Sequence, residues 1–232
     1  MTDSAQRFST DFRFANRSGK AEYVWRKYQS ILTGRILDVG ADHCRLKPFL
    51  PESAQYTGIG LGSDALDLQI NLEREPLPYA ERSFDTVLCL DVLEHLDNIY
   101  DVFDALCRVT DRYLILSLPN AWADFLTVLR DKPYQADGPF KFYGLPPEPP
   151  EDRHKWFFSW DEAERFVRVR GEKNGLQVAQ IDSYSPHADY RAWDGYGIQG
   201  RLRAWARRMT LRPDIPPQNL LNGTLWAVLE KK

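Results

Sequence analysis

Cysteine is scarce in this sequence: three among 232 residues, at Cys44, Cys89 and Cys107. Thiols so few and so scattered exclude a disulfide framework and lack the paired spacing of a zinc site. Cys89 lies inside the apolar run 87–90 and reads as a small core residue. Long apolar runs are missing as well. No stretch approaches the roughly eighteen residues that a membrane-spanning helix needs. Residues 1–18 lack the apolar centre of a secretory signal. These absences predict a reduced, cytoplasmic setting with no transmembrane segment. A surplus of one charge sign is also lacking: 30 basic residues against 33 acidic leave a net charge of −3. General nucleic-acid binding is not expected, because counterion release needs a clear positive surplus. No internal repeat is visible.

What is present describes a globular chain. Hydrophobic residues make up 43% and charged residues 27%, which excludes a disordered chain. The length suits one elaborated domain over residues 19–232, preceded by a polar arm over 1–18 that carries Phe8, Phe12 and Phe14. Aromatic residues reach 13%, and such rings fill cores or line ligand clefts.

Periodicity sets the element order. Ala21, Val24, Trp25, Tyr28 and Ile31 recur at helical spacing over 19–33, and Gly34 stops that helix. Short apolar runs over 35–40, 56–60, 68–72, 84–90 and 113–118 read as strands. Residues 92–109 carry helical spacing between the last two. Strands alternating with helices imply a parallel sheet with right-handed crossovers.

The second half changes character. Residues 121–158 hold turn-formers and the cluster 146–150, four prolines around Glu148, which predicts a stiff extended loop. A long loop in a compact domain usually builds a lid or a binding element. Ser159 with Glu162 forms a capping box that opens a helix over 160–174. Residues 176–184 and 223–229 read as the last strands, with a second insertion over 186–222 between them.

Four segments together carry a resemblance: Ile36-Leu-Asp-Val-Gly-Ala41, Tyr56-Thr-Gly-Ile59, the run 77–88 containing Ser83-Phe84-Asp85, and Asp91-Val-Leu-Glu-His-Leu96. In this combination the chain resembles the class I S-adenosylmethionine (SAM)-dependent methyltransferases over roughly residues 20–120. The resemblance implies a Rossmann-like, doubly wound α/β fold. Its seven-stranded sheet would be mostly parallel with an antiparallel last strand, and helices would cover both faces. It implies SAM as cofactor and methyl transfer to a small-molecule or saccharide-like acceptor. The turn of Asp38, Gly40, Ala41 and Asp42 would wrap the methionine part of SAM. Gly40 would let the backbone approach, and Asp38 would reach the ammonium group. Gly60 and Leu61 would face ribose and adenine, Asn71 and Leu72 the adenine edge, and Asp91 the methionine side. All lie at carboxyl ends of strands, where open α/β sheets bind ligands.

The sequence departs from that family in two places. The family's glycine loop usually has three glycines, and here Asp42 and Cys44 stand at the second and third. The family usually ends the second strand in an acid that holds both ribose hydroxyls, and here Gly60 stands there. Such charge-assisted bonds are worth ~1.5–3 kcal/mol each, so their loss weakens SAM tenfold or more unless Asp64 or Asp67 substitutes. The alternative reading is therefore a non-catalytic binding or scaffold protein with a degraded cofactor site. A nicotinamide-binding domain is disfavoured, since its Gly-x-Gly-x-x-Gly and downstream acid are both missing.

Methyl transfer displaces a good leaving group, so the protein mainly orients the acceptor and excludes water. An oxygen or nitrogen acceptor also calls for a base. His154 and His95 are the candidates. His95 otherwise fixes a helix start, and His154 otherwise lies on a loop surface. His43 sits in the glycine loop, and His187 in the second insertion. His187-Ala-Asp189 alone does not make a metal site, and no metal is expected. Residues 201–212 hold five Arg with Leu202, Trp205 and Met209 on one helical face. They read as an amphipathic helix packed on the domain, or as a contact for an anionic acceptor or surface.

Overall fold

A computed structural model describes residues 7–131, 142–184 and 214–232. Seven strands form one sheet: β1 (Arg35–Val39), β2 (Gln55–Gly60), β3 (Leu68–Gln69), β4 (Phe84–Leu90), β5 (Thr110–Leu118), β6 (Leu176–Tyr184) and β7 (Thr224–Lys231). Their order is β3-β2-β1-β4-β5-β7-β6. The pairs among the first five strands are parallel, and β7 runs antiparallel to both β5 and β6. Chain order reverses at β1, where the sequence steps out to β2 and later returns to β4. That switch opens a crevice at the carboxyl ends of β1 and β4.

The helices are α1 (Arg17–Tyr28), α2 (Ile99–Val109), α3 (Ala121–Asp131), α4 (Trp160–Lys173) and the short α5 (Pro217–Leu221). Strand side chains alternate between two cores, as the two-residue period demands. Leu37, Val39, Val87 and Cys89 pack with Phe103, Leu106 and Val167 of α2 and α4. Ile36 and Leu88 face the other way, onto Tyr23, Val24 and Tyr28 of α1 and Trp226 of β7. Apolar cover on both faces explains why β1, β4 and β5 are near-continuous apolar runs. The second core also buries a charge pair: Lys27 of α1 meets Asp182 of β6 and the hydroxyl of Tyr23.

Several boundaries differ from the sequence reading. The first helix begins at Arg17, because the Asn16 side chain accepts the Gly19 N–H at 2.8 Å and caps it. Residues 7–16 are docked on the sheet: Phe8 is 2% exposed, and its N–H donates to Gln180. The third strand ends at Gln69, where the Asn71 side chain accepts the Glu73 N–H and starts a turn. The helix expected over 92–109 divides into a 3-10 turn, Leu93–His95, and α2. Asn98 between them donates its amide to the Leu72 carbonyl.

The first insertion, expected as loop throughout, opens with α3. Asn120 caps it by accepting from the Trp122 N–H. The same amide donates to the carbonyls of Asn219 at 3.0 Å and Asn222 at 2.7 Å, which ties the end of β5 to α5. The predicted capping box of α4 is formed in both directions between Ser159 and Glu162. His187 and the arginine-rich 201–212 lie outside the described residues.

Candidate active site

The first half of the site is the turn leaving β1. Gly40 has φ +75°, and a Cβ there would lie 2.2 Å from Cγ2 of Val92. Its N–H and that of Ala41 both donate to the Ile59 carbonyl, so the turn is stitched to β2. Asp42 and Cys44 follow with φ +51° and +52°. The backbone therefore keeps the left-handed conformations that favour glycine, although both positions carry side chains. Asp42 lies among cations, 3.3 Å from Arg17 and 3.5 Å from Arg45. Cys44 is buried and donates weakly to the Ala65 carbonyl. His43 meets the Ser63 hydroxyl at 3.0 Å and bridges the β1 turn to the loop after β2.

Asp38, at 7% exposure, is the charge-bearing residue of this half. Its carboxylate accepts from the Tyr56 hydroxyl at 2.7 Å. Burial pushes its pKa up to about 6, against the lowering effects of Tyr56 and Lys20. A buried carboxyl held near neutrality, with one hydroxyl donor, is suited to a cationic ligand.

The end of β2 is sparse in polar groups. Gly60 ends β2 with φ +156°, a conformation that L side chains rarely adopt, so an acid cannot simply be restored there. Asp67 is committed elsewhere, since its carboxylate accepts from the Gly58 N–H at 2.7 Å. Asp64 is exposed on the loop that follows. Leu61 is 61% exposed and offers an apolar surface for a flat ring. The Asn71 oxygen is occupied by its own turn, which leaves the amide NH2 to face outward partners, and Leu72 is buried beside it.

The second half follows β4. Asp91 has φ +55° and takes bonds from Lys20 of α1 at 2.6 Å and from the Ser117 hydroxyl. Desolvation raises its pKa, but Lys20 and Ser117 outweigh it and hold the carboxyl below its usual range. Three residues on, Glu94 is 1% exposed, and its Oε2 has no hydrogen-bond partner. Burial drives its pKa well up. Around it stand the two candidate histidines. Nε2 of His95 lies 3.9 Å from Glu94 Oε1, and Nε2 of His154 lies 4.0 Å from it. The opposite ring nitrogens are engaged, His95 with Asp152 at 2.6 Å and His154 with the Tyr143 hydroxyl at 2.8 Å.

His154 stacks flat on Phe142, with ring centres 4.4 Å apart. Burial, then the neighbouring His95, lowers its pKa to about 4. The segment carrying it is fixed to the turn after β4 by the Lys155 N–H, which donates to the Glu94 carbonyl. Beside His154 opens a cleft of about 360 Å³ lined by Phe125, Tyr143, Arg153, Lys155, Trp156 and Phe157. A smaller cleft, lined by Arg7, Thr33, Asp85 and Arg112, opens at the amino edge of the sheet, away from these groups.

Sequence reading thus named Asp38, Gly40, Ala41, Asp42, Gly60, Leu61 and Asp91, and these cluster at the crevice; His95 and His154 share one cluster. It missed Lys20 and Tyr56, which contact the two aspartates, and gave Glu94 no role. Nothing in the helical pattern marks Lys20, and Tyr56 reads as an ordinary strand residue.

No curated protein matches the chain. Residues 37–113 match the family model described as a methyltransferase domain. Solved structures resemble the whole chain. A SAM-dependent methyltransferase from Archaeoglobus fulgidus aligns at TM-score 0.56 and 14% identity, covering 95% of this chain and 96% of that one. The cyclase SpnF aligns at 0.53 and 14%, covering 97% and 85%. Magnesium protoporphyrin IX methyltransferase from Synechocystis PCC 6803, with bound S-adenosylhomocysteine, aligns at 0.50 and 17%, covering 95% and 90%. Residues 37–113 thus resemble a methyltransferase domain, and the chain shares the fold of the solved SAM-dependent methyltransferase from Archaeoglobus fulgidus.

Proposed function

We propose that this protein binds SAM at the carboxyl edge of β1 and β2 and transfers its methyl group to a small-molecule or saccharide-like acceptor held in the cleft beside His154. The observation that carries the reading is Asp38: a buried carboxyl at the end of β1, with its pKa raised to about 6 and one hydroxyl donor, next to a glycine whose Cβ would clash. SAM supplies a positively charged ammonium and a reactive methyl sulfonium. Asp38 would hold that ammonium, Gly40 would admit the methionine backbone, and Leu61 would cover one face of the adenine. Asp64 is the acid on the exposed loop free to approach the ribose. On the acceptor side, Tyr143, Trp156 and Phe157 give flat apolar walls suited to a sugar or aromatic ring. Arg153 favours an acceptor bearing negative charge, whereas Lys155 is already paired with Glu73 and Asp97. The chain's part in the reaction is to orient the acceptor and exclude water.

Gly60, with no acid in its place, favours a second reading: a binding protein on the same fold that does not transfer methyl groups. SpnF, which has a similar fold, is a cyclase, and fold alone does not fix the reaction. A thermal melt with SAM and with S-adenosylhomocysteine separates the two. At a hundredfold excess over Kd, binding stabilises by ~2.7 kcal/mol, which raises Tm by roughly 5–11 °C for a chain of this length. That rise is the expected result, and no rise with either ligand at millimolar concentration would give the second reading the lead.

A further inference from the structure

Glu94, His95 and His154 each offer a ligand atom, and these atoms lie within 4.8 Å of one another. Glu94 is buried with Oε2 unpartnered, whereas buried polar atoms in folded proteins are mostly satisfied. Among the described residues no Lys or Arg forms an ion pair with it. Both imidazoles turn Nε2 toward its carboxylate, and both spend Nδ1 on an outer partner, Asp152 for His95 and Tyr143 for His154. The Asp152 carboxylate on Nδ1 fixes for His95 the tautomer that frees Nε2 as a ligand, and the Tyr143 hydroxyl is able to accept from Nδ1 of His154 in the same way, which is the arrangement of metal-binding histidines. We infer that Glu94, His95 and His154 bind a divalent transition-metal ion on the acceptor side of the crevice.

The chemistry of the set decides the ion class. Two imidazoles and one carboxylate suit zinc, manganese, cobalt, nickel or iron(II) better than the all-oxygen preference of calcium or magnesium. Bonds of about 2.0–2.2 Å to such an ion bring neighbouring ligand atoms to roughly 3.0–3.4 Å. The present 3.9 and 4.0 Å separations close by under about 1 Å on binding. The ion would neutralise a buried carboxylate that two imidazoles face. Three protein ligands leave open positions for water or, if the proposed methyl transfer holds, for an acceptor oxygen, whose proton a bound cation makes more acidic. Glu94 and His95 are adjacent and His154 lies far along the chain, so no metal-ligand spacing marks them.

The test uses the full chain, stripped with EDTA, desalted and titrated with cobalt(II) chloride, followed by calorimetry and by the d–d absorption of the bound ion. One saturable equivalent is expected, displaced by zinc. His154→Ala and Glu94→Gln are each expected to weaken cobalt binding about a hundredfold or more. Asp152→Asn, an exposed change that leaves the fold alone, is expected to weaken it about 10–100-fold through His95. Absence of a saturable equivalent, or equal affinity in the wild type, His154→Ala and Asp152→Asn, would overturn the proposal. SAM binding by the EDTA-treated protein is measured in parallel. Its loss with cobalt binding intact counts against the cofactor reading and leaves the metal site standing.

Discussion

The two turns that form the carboxyl edge, after β1 and after β4, solve opposite problems. The β1 turn is held in an unusual backbone path and has its polar groups mostly spoken for. Gly40, Asp42 and Cys44 all have positive φ, Asp42 lies among cations, and Asp67 is tied to backbone. The β4 side relies less on left-handed backbone, which only Asp91 adopts there, yet it gathers unsatisfied chemistry. Glu94 is buried with Oε2 unpartnered, and two histidines point their free nitrogens at its carboxylate. Backbone shape serves the first turn, and side-chain donors serve the second. The lesson is that a ligand site can be prepared by conformation on one side and by unmet electrostatic demand on the other.

The largest effect expected from breaking this contrast is at Gly40. Gly40→Val puts a branched side chain where a single Cβ already meets Val92 at 2.2 Å. It should abolish the SAM-induced melting shift and lower the Tm of the free protein, at a cost of roughly 1–3 kcal/mol for the strained backbone. A variant that still shifts with SAM would mean that the methionine moiety does not enter by this turn.

Asp38→Asn should come next, and its two readouts have opposite signs. SAM affinity should fall about 10–100-fold, the value of one charge-assisted bond. Stability of the free protein should rise at high pH. The folded-state pKa of Asp38, about 6, exceeds the ordinary 3.8. Its favourable contribution is therefore full below the unfolded pKa and is lost as pH climbs through about 6. At pH 8 the asparagine variant should be more stable by on the order of 2–3 kcal/mol, with no difference at pH 4. Denaturation at both pH values checks this. By the same linkage, SAM affinity of the wild type should weaken as pH falls below about 6, and a flat titration from pH 8 to 5 would rule out Asp38 as the ammonium partner.

A smaller effect is expected at Asp64. If it substitutes for the missing acid after β2, Asp64→Ala should weaken SAM by about tenfold or more in calorimetry, given ~1.5–3 kcal/mol per bond. An unchanged Kd would leave the ribose without an acidic partner. The smallest effect is at Asp42. Asp42→Gly relieves a left-handed side chain but gives up exposed ion pairs worth little. A gain of up to about 1 kcal/mol, or roughly 2–4 °C in Tm, is expected. A clear loss would show that the cations around Asp42 matter more than its φ.

The contrast between the turns also marks what could be read in advance. Strands β1, β4 and β6 and the capped start of α4 followed from apolar runs and one capping box. Those signals are local, and local signals survive in a sequence. Boundaries set by distant partners did not. Asn98 divides the expected helix over 92–109 by reaching Leu72, and α3 opens at Asn120, whose amide is held by α5. Asp38 and Gly40 were legible because one short motif contains them. Lys20 was not, since its role is a contact with Asp91 made across the fold.

Alone, the sequence determined the alternation of strands and helices and the turn with its displaced glycines, because hydrophobic period and turn chemistry act between near neighbours. Only the tertiary structure decided which charges face one another. Asp38 gained Tyr56 from the next strand, Asp91 gained Lys20 from the first helix, and Glu94 gained two histidines but no cation. Those encounters depend on which segments the sheet brings together, and on burial, which turns an ordinary carboxyl into one that demands a partner.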